Sequence, residues 1–481
     1  VVHGTASAGM VRVWTMPALF DSGLSHNGPM SLNAAPSWDF SSDAGRDNYE
    51  KALEAYPGQV IVDLATLKAN MGELVSRVGE SGSGAQVMGV VKADAYGHGL
   101  IPAALAALAG GATWLGTAQP REALHLRRAG IGPDRCRILT WMYNVDKAPL
   151  DDLIRADIDL AVGSLHIIDR VEEAARRVGR PARIHVKVDT GFGRNGFTPQ
   201  TFDSALEELG PLAAEGVLDV VGLFSHLAVA DMPDVPDFVA STDAQIASFE
   251  EFARRLTAAG MRPMIRHLAN TAATLSRPDI HYELTRPGIG MYGYEPDPSM
   301  GRSADYGLKP AMTLQAQLST VKDLEAGHGV SYGRTYLTNS DTSTAILPLG
   351  YADGIHRTAS GFDVQGSTGT IHQGGPVRLM TKQGPRLVRV SGRVCMDQCV
   401  LDLEGKAAAL GVGEGDTVVL FGPGRGESFC EPTADDWARA AGTISYEIFT
   451  CLRNRIPRLY LHVPEVIRPE DMHLLDPATV L

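Results

Sequence analysis

Between about Gln86 and Ile289 the chain alternates short β-branched or apolar runs with longer stretches whose apolar residues recur at i, i+3 and i+4. The short runs predict strands near 87–91, 113–116, 137–140, 159–162, 184–188, 220–225, 265–268 and 283–285. The stretches between them, such as 120–129 and 164–178, set an apolar stripe against a polar face, as surface helices do. Eight such units predict an α/β protein built on a (β/α)8 TIM barrel. The competing open, doubly wound sheet commonly opens its first helix with Gly-x-Gly-x-x-Gly, and no such turn opens the first helix here. After Gly301 the texture changes to short apolar runs and turn clusters, as in 344–349, 386–390 and 417–421 with Gly422-Pro423-Gly424 beyond. We therefore expect a barrel over 59–302 and a mainly β C-terminal domain over 303–481, with 59–65 able to pair with the latter. Residues 1–48, rich in Ser, Gly, Asn, Asp and Pro from Ser22 to Arg46, are expected to form a mobile extension without chemistry.

Composition narrows the class of function. At 481 residues and 44% apolar, the chain can bury the cores of two domains. Its net charge of -13 argues against nucleic acid or an anionic membrane as the main partner, although a local cationic pocket is compatible with it. The cysteines, Cys136, Cys395, Cys399, Cys430 and Cys451, are odd in number and fit a reducing compartment. Cys395 and Cys399 have no second Cys or His pair beside them, so no metal is expected. No apolar run reaches membrane-spanning length and no basic segment precedes a long apolar core at the N-terminus, so the expected location is cytoplasmic.

The candidate chemistry gathers where a barrel builds its site, at the C-terminal ends of strands. The first strand ends at Lys92, whose amine, partly desolvated there, is suited to form a Schiff base. Tyr96 lies just beyond. The fifth runs into Lys187-Val188-Asp189-Thr190-Gly191-Phe192-Gly193-Arg194, where Arg194 can clamp a carboxylate. The sixth ends at His226, the seventh carries His267 with Asn270 and Thr271, and the eighth delivers Arg286 before Pro287-Gly288-Ile289-Gly290. Thr271, Gly288 and Ile289 supply a hydroxyl and main-chain amides in loops that commonly bind phosphate. Taken singly, Lys92 also reads as a snorkelling lysine, His226 and His267 as satisfied core histidines, and each arginine as a surface ion pair. Together, an amine for an aldehyde and a phosphate site across the barrel mouth point to pyridoxal phosphate.

Over roughly 59–465 the sequence resembles the alanine racemase family, fold type III enzymes dependent on pyridoxal 5'-phosphate. The resemblance is carried by Val91-Lys92-Ala93-Asp94-Ala95-Tyr96-Gly97-His98-Gly99, by the Lys187 to Arg194 segment, by His267-Leu268-Ala269-Asn270-Thr271 and by Arg286-Pro287-Gly288-Ile289-Gly290-Met291-Tyr292-Gly293. In the β region Val330-Ser331-Tyr332-Gly333-Arg334, Gly350-Tyr351-Ala352-Asp353-Gly354, Gly392-Arg393-Val394-Cys395-Met396-Asp397-Gln398 and Ile444-Ser445-Tyr446-Glu447 follow in order. The resemblance implies that Lys92 holds the cofactor covalently and that Tyr332, from the other subunit of a homodimer with shared sites, is the second acid/base. Arg194 and the main-chain amide of Met396 would hold the substrate carboxylate. Tyr96, Thr271, Gly288, Ile289 and Tyr446 would surround the phosphate, Arg286 would face the pyridine nitrogen, and Tyr351 would line the entrance. His226, His267 and Asn270 would complete the cofactor surroundings, and Lys187 would carry a CO₂-derived carbamate. Thr271 stands where serine is usual, Phe224 where tyrosine is frequent, and the arm before Tyr49 exceeds the usual chain.

The residue types suit the reaction the resemblance implies, interconversion of L- and D-alanine to supply D-alanine for peptidoglycan. Racemisation moves a proton off one face of Cα and onto the other, and Lys92 and Tyr332 are two bases for two faces. An arginine at the ring nitrogen disfavours its protonation, unlike the acidic partner of a decarboxylase. Competing expectations are a serine or broad-specificity racemase of the same fold and a non-catalytic cofactor-binding barrel.

Overall fold

The computed structural model describes residues 56–366 and 369–475, and the extension expected over 1–48 lies outside them. Strand β1 (Gly58–Asp63) comes first and is followed by the eight barrel strands, β2 (Gln86–Val90), β3 (Trp114–Thr117), β4 (Arg137–Thr140), β5 (Ile158–Val162), β6 (Ala182–Lys187), β7 (Leu218–Phe224), β8 (Ile265–His267) and β9 (Leu284–Thr285). They follow one another as parallel neighbours from β2 to β8, with β9 beside β2. Glu283 N–H donates to Arg266 O at 3.3 Å and Arg286 N–H to Ala269 O at 2.9 Å, bringing the last strand against β8. The eight strands expected from the apolar runs are these eight. All residues of β3 and of β5 are buried, because helices cover one face and the barrel interior fills the other. Local signals start the helices. Ser164 accepts from Ile167 N–H before the helix Leu165–Val178, and Gln119 with Glu122 forms a capping box around Pro120.

The remaining strands are β10 (Met312–Gln317), β11 (Thr320–Leu324), β12 (Gly329–Val330), β13 (Tyr336–Leu337), β14 (Thr342–Leu347), β15 (Phe362–Gly366), β16 (Gly369–Gln373), β17 (Pro376–Thr381), β18 (Gly384–Val390), β19 (Cys399–Asp402), β20 (Thr417–Phe421) and β21 (Arg458–Leu461). Nine strands form one sheet in the order β11-β14-β19-β18-β17-β20-β10-β1-β21. Strand β1 is thus antiparallel to β10 and parallel to β21, although it precedes the barrel in sequence. The pairs β12-β13 and β15-β16 are separate ribbons.

What matters for the site is how this β region reaches the barrel mouth. Its helix Ser445–Thr450 packs Phe449 against Tyr294 and Phe421, with ring centroids 5.0 and 6.0 Å apart. Arg458 donates through Nε to Gly97 O at 3.1 Å. A side chain at Gly97, where φ is 76°, would meet Phe449 O at 2.5 Å, so only glycine lets the two backbones come this close. Tyr446, in the first turn of that helix, is thereby delivered to the barrel.

Candidate active site

Lys92 lies two residues past the last residue of β2, after Val91, and the chain then makes a left-handed turn. Ala93, Asp94, Ala95 and Tyr96 all have φ between 52° and 55°. Each such non-glycine residue costs on the order of 1 kcal/mol, so the turn persists because its surroundings hold it. Ala93 N–H donates to Glu122 Oε1 at 2.7 Å, and Asp94 Oδ1 accepts from Leu100 N–H at 2.8 Å at the head of the next helix. His98, buried, contacts the carbonyls of Ala95 and Tyr96 through Nδ1, and burial pushes its pKa down to about 3, so it serves here as a neutral donor. The turn aims the Lys92 amine into the mouth, 5.9 Å from the Tyr96 ring centroid. Burial and then the Arg194 charge hold that amine below the usual lysine range.

Across the mouth the phosphate-type loops meet. Asn270 caps the helix Thr271–Ser276, and Thr271 Oγ1 accepts from Gly288 N–H at 2.8 Å, leaving its hydroxyl proton free to donate. A Cβ at Gly288 would lie 2.4 Å from the Tyr96 hydroxyl, so a side chain there would fill the cradle between them. Arg286 is wired into main chain, donating to His267 O at 2.6 Å and Ser225 O at 2.7 Å. Burial lowers its pKa to about 9, still above neutral, so the cation is retained.

Behind Arg286 runs a buried polar chain whose proton positions the geometry fixes. Arg286 Nη1 lies 3.1 Å from His267 Nδ1, and a guanidinium only donates, so that nitrogen accepts and His267 carries its proton on Nε2. This N–H donates to His185 Nδ1 at 2.8 Å, and His185 Nε2–H donates to Asp159 at 3.0 Å. Both histidines are therefore neutral. Burial raises Asp159, but His185, Arg137 and Arg183 outweigh it and hold the carboxyl below its usual range. Arg183 Nε bonds it at 2.7 Å, and Arg137 is its second arginine partner. Phe224 stacks on His267 at 4.7 Å and takes cation–π contacts from Lys187 and Arg286, each 5.6 Å from the ring centroid, where a tyrosine would add a hydroxyl.

A cavity of about 300 Å³ is lined by Lys92, Tyr96, Lys187, Arg194, His226, Asn270, Thr271, Arg286, Gly288, Ile289 and Tyr446. These sequence-predicted residues meet in one place. Lys92, Lys187, Arg194 and Arg286 bring four basic groups, and among the described residues Asp231 is the one carboxylate in the lining. Burial, with Arg194, Arg286 and Lys92, lowers Lys187 to about 8. Burial and the same cations keep His226 well below the ordinary histidine value. Such a basic hollow, with an amine at one wall and a glycine cradle at the other, fits a phosphorylated aldehyde.

His267 does not line this cavity; it stands behind Arg286 as a satisfied core histidine. Tyr332, Tyr351 and Met396 do not line it either. They are exposed on the β domain at 71%, 40% and 54%. Their segments are nonetheless laced together: Tyr351 N–H donates to Cys395 O, Ala352 N–H to Met396 O, and Ser331 Oγ to Arg393 O at 2.6 Å. Sequence reading missed Trp141 and Asp231 in the lining, and Glu122, Asp159 and His185 behind it. Trp141 had a signal, since it directly follows β4 at the catalytic end of the barrel.

Fold and site together define a class, a (β/α)8 enzyme with a β domain that completes the barrel mouth. The model for the alanine racemase N-terminal domain matches residues 62–296, and that for the C-terminal domain matches 311–460. The chain is 46% identical to the alanine racemase of Streptomyces coelicolor over 83% of its own length and 95% of that protein. It is 42% identical to the Mycobacterium leprae alanine racemase, covering 85% and 96%. Among solved structures, the Streptomyces coelicolor A3(2) alanine racemase superposes with a TM-score of 0.77 at 45% identity, over 86% of this chain and 100% of that one. The enzyme from D-cycloserine-producing Streptomyces lavendulae gives 0.75 at 42%, over 84% and 97%. The chain belongs to the alanine racemase family.

Proposed function

We propose that the chain interconverts L- and D-alanine with pyridoxal 5'-phosphate and supplies D-alanine for peptidoglycan from the cytoplasm. The observation that carries the proposal is the placement of Lys92, at the end of β2, across one cavity from the Thr271–Gly288 cradle and Arg286. Among the described residues no helix is long and apolar enough to cross a membrane. Tyr96, Thr271, Gly288, Ile289 and Tyr446 would hold the phosphate, with Asn270 capping the cradle helix. Lys92 would hold the cofactor through its aldehyde. When bound, the cofactor supplies an electron sink that makes the Cα proton removable. Arg194 and the Met396 amide orient the substrate carboxylate. Lys92 Nζ moves a proton at one face of Cα, and Tyr332 Oη, from a second copy of the chain, moves one at the other. Arg286, a buried cation bonded to the carbonyls of His267 and Ser225, would disfavour protonation of the cofactor's ring nitrogen, which would limit the sink and favour return of the proton to Cα. Tyr351 borders the entrance. The exposure of Tyr332, Tyr351 and Met396 in one laced cluster supports a homodimer whose sites are shared.

The test is to offer each L-amino acid to cofactor-loaded enzyme and separate product enantiomers, with borohydride reduction and peptide mapping alongside. We expect alanine to racemise fastest and the label to fall on Lys92. Serine or a broad set turning over equally well would replace the substrate assignment, and label on another lysine would overturn the site.

A further inference from the structure

We propose that His356, Glu447 and Cys451 form a binding site for one thiophilic divalent cation, Zn²⁺ being the best match, separate from the racemase cavity. The three donor atoms all lie within 4.8 Å of one another, and His356 Nε2 is 3.7 Å from Glu447 Oε2. They come from two elements. His356 caps the short 3₁₀ turn Arg357–Ala359, five residues after Tyr351. Glu447 and Cys451 sit four apart along the helix Ser445–Thr450, Cys451 at its C-cap, so both face the same side. Arg453 N–H donates to Asp353 O at 2.9 Å and keeps the two elements together without a metal.

The donor set suits zinc in kind, number and charge. A tetrahedral Zn²⁺ bound at ~2.0–2.3 Å separates its donors by roughly 3.3–3.7 Å. The His–Glu pair already has that spacing, and the 53% exposed Glu447 side chain, whose Oε2 also accepts from Thr443 Oγ1, would supply the remaining movement by yielding that exposed bond. A neutral imidazole, a carboxylate and a thiolate carry two negative charges, which a divalent cation neutralises, and water takes the fourth position. As the Sγ–metal bond forms, the Cys451 thiol gives its proton to solvent. A plain His356–Glu447 ion pair, with Cys451 a bystander, is the competing account. It predicts no role for sulfur. Bound metal would tie the segment that bears Tyr351 to the helix that bears Tyr446.

The experiment is calorimetric titration of reduced holoenzyme with Zn²⁺ alone, in two buffers of different ionisation enthalpy, for wild type, Cys451→Ser and His356→Gln. We expect one equivalent per chain with release of about one proton, at least tenfold weaker binding in both variants, and a thermal midpoint that rises with Zn²⁺ only in wild type. Binding of equal strength and equal proton release in all three proteins would overturn the site, as would absence of binding to wild type. Loss of binding in His356→Gln with Cys451→Ser unchanged would establish the ion-pair account in its place.

Discussion

Replacing Lys187 by alanine probes how the cavity orders its four basic groups. Burial with the charges of Arg194, Arg286 and Lys92 brings the Lys187 amine from 10.5 to about 8. At pH 7 that leaves about one amine in ten neutral, against about one in three thousand at the ordinary value, a gain of roughly 300-fold in nucleophile. The neutral nitrogen can attack CO₂, lose a proton and become a carbamate, turning one of four crowded cations into an anion among the remaining three. Charge-assisted hydrogen bonds of this kind are worth about 1.5–3 kcal/mol, so Lys187→Ala should lower kcat/KM by about 10- to 100-fold by releasing Arg194. Because only the neutral amine reacts, carbamate should be lost as pH falls below about 8, where the amine is protonated. The assay is ¹³C NMR of enzyme equilibrated with labelled bicarbonate, with racemisation measured before and after CO₂ removal. A carbamate signal in wild type and none in Lys187→Ala is expected. No signal at pH 8, or full activity in Lys187→Ala, would refute the reasoning.

Arg286→Glu should retain cofactor but lose most racemisation and gain side reactions, read as pyruvate and pyridoxamine phosphate formed beside D-alanine; an unchanged product ratio would count against Arg286 setting the ring's electronics. Asp159→Asn should cost about 3 kcal/mol or more in denaturant unfolding, because Arg137 and Arg183 lose their buried anion. Its depressed pKa contributes stability that is present above the unfolded carboxyl range and lost as pH falls through the folded value, so wild type should lose stability more steeply than the variant below about pH 4. Mixing inactive Lys92→Ala with inactive Tyr332→Phe chains should restore about a quarter of wild-type sites after random exchange, and no recovery after verified exchange would rule out sharing.

The barrel was legible because parallel strands buried on both faces leave short, nearly continuous apolar runs, as in Ile158–Val162. Lys92 was legible because the lysine ends such a run. The left-handed turn after it was not, since Ala93, Asp94 and Ala95 carry no residue type that demands positive φ and the strain is imposed by Glu122 and the following helix. Asp159 could have been noticed as a carboxylate inside an apolar strand, but its partner His185 is adjacent only through the barrel's strand order. The resemblance named Tyr96, Arg194 and Arg286 beside Lys92, and the four line one cavity. What it could not convey is that His267 serves Arg286 from behind.

The geometry also bears on the second chain that the proposed reaction uses. The barrel strands deliver Lys92, Lys187, Arg194 and Arg286 to one cavity at the mouth. The β domain reaches that mouth in cis through the helix Ser445–Thr450, which brings Tyr446 to the cavity wall. Its other chemistry-bearing motifs, around Tyr332, Tyr351 and Met396, are bonded to one another and exposed, away from the lining of their own cavity. In the proposed dimer this exposed cluster, with Tyr332 in it, would supply the base for the opposite face at the mouth of its neighbour. In a two-fold pair the same patch serves both copies, so one interface completes two sites.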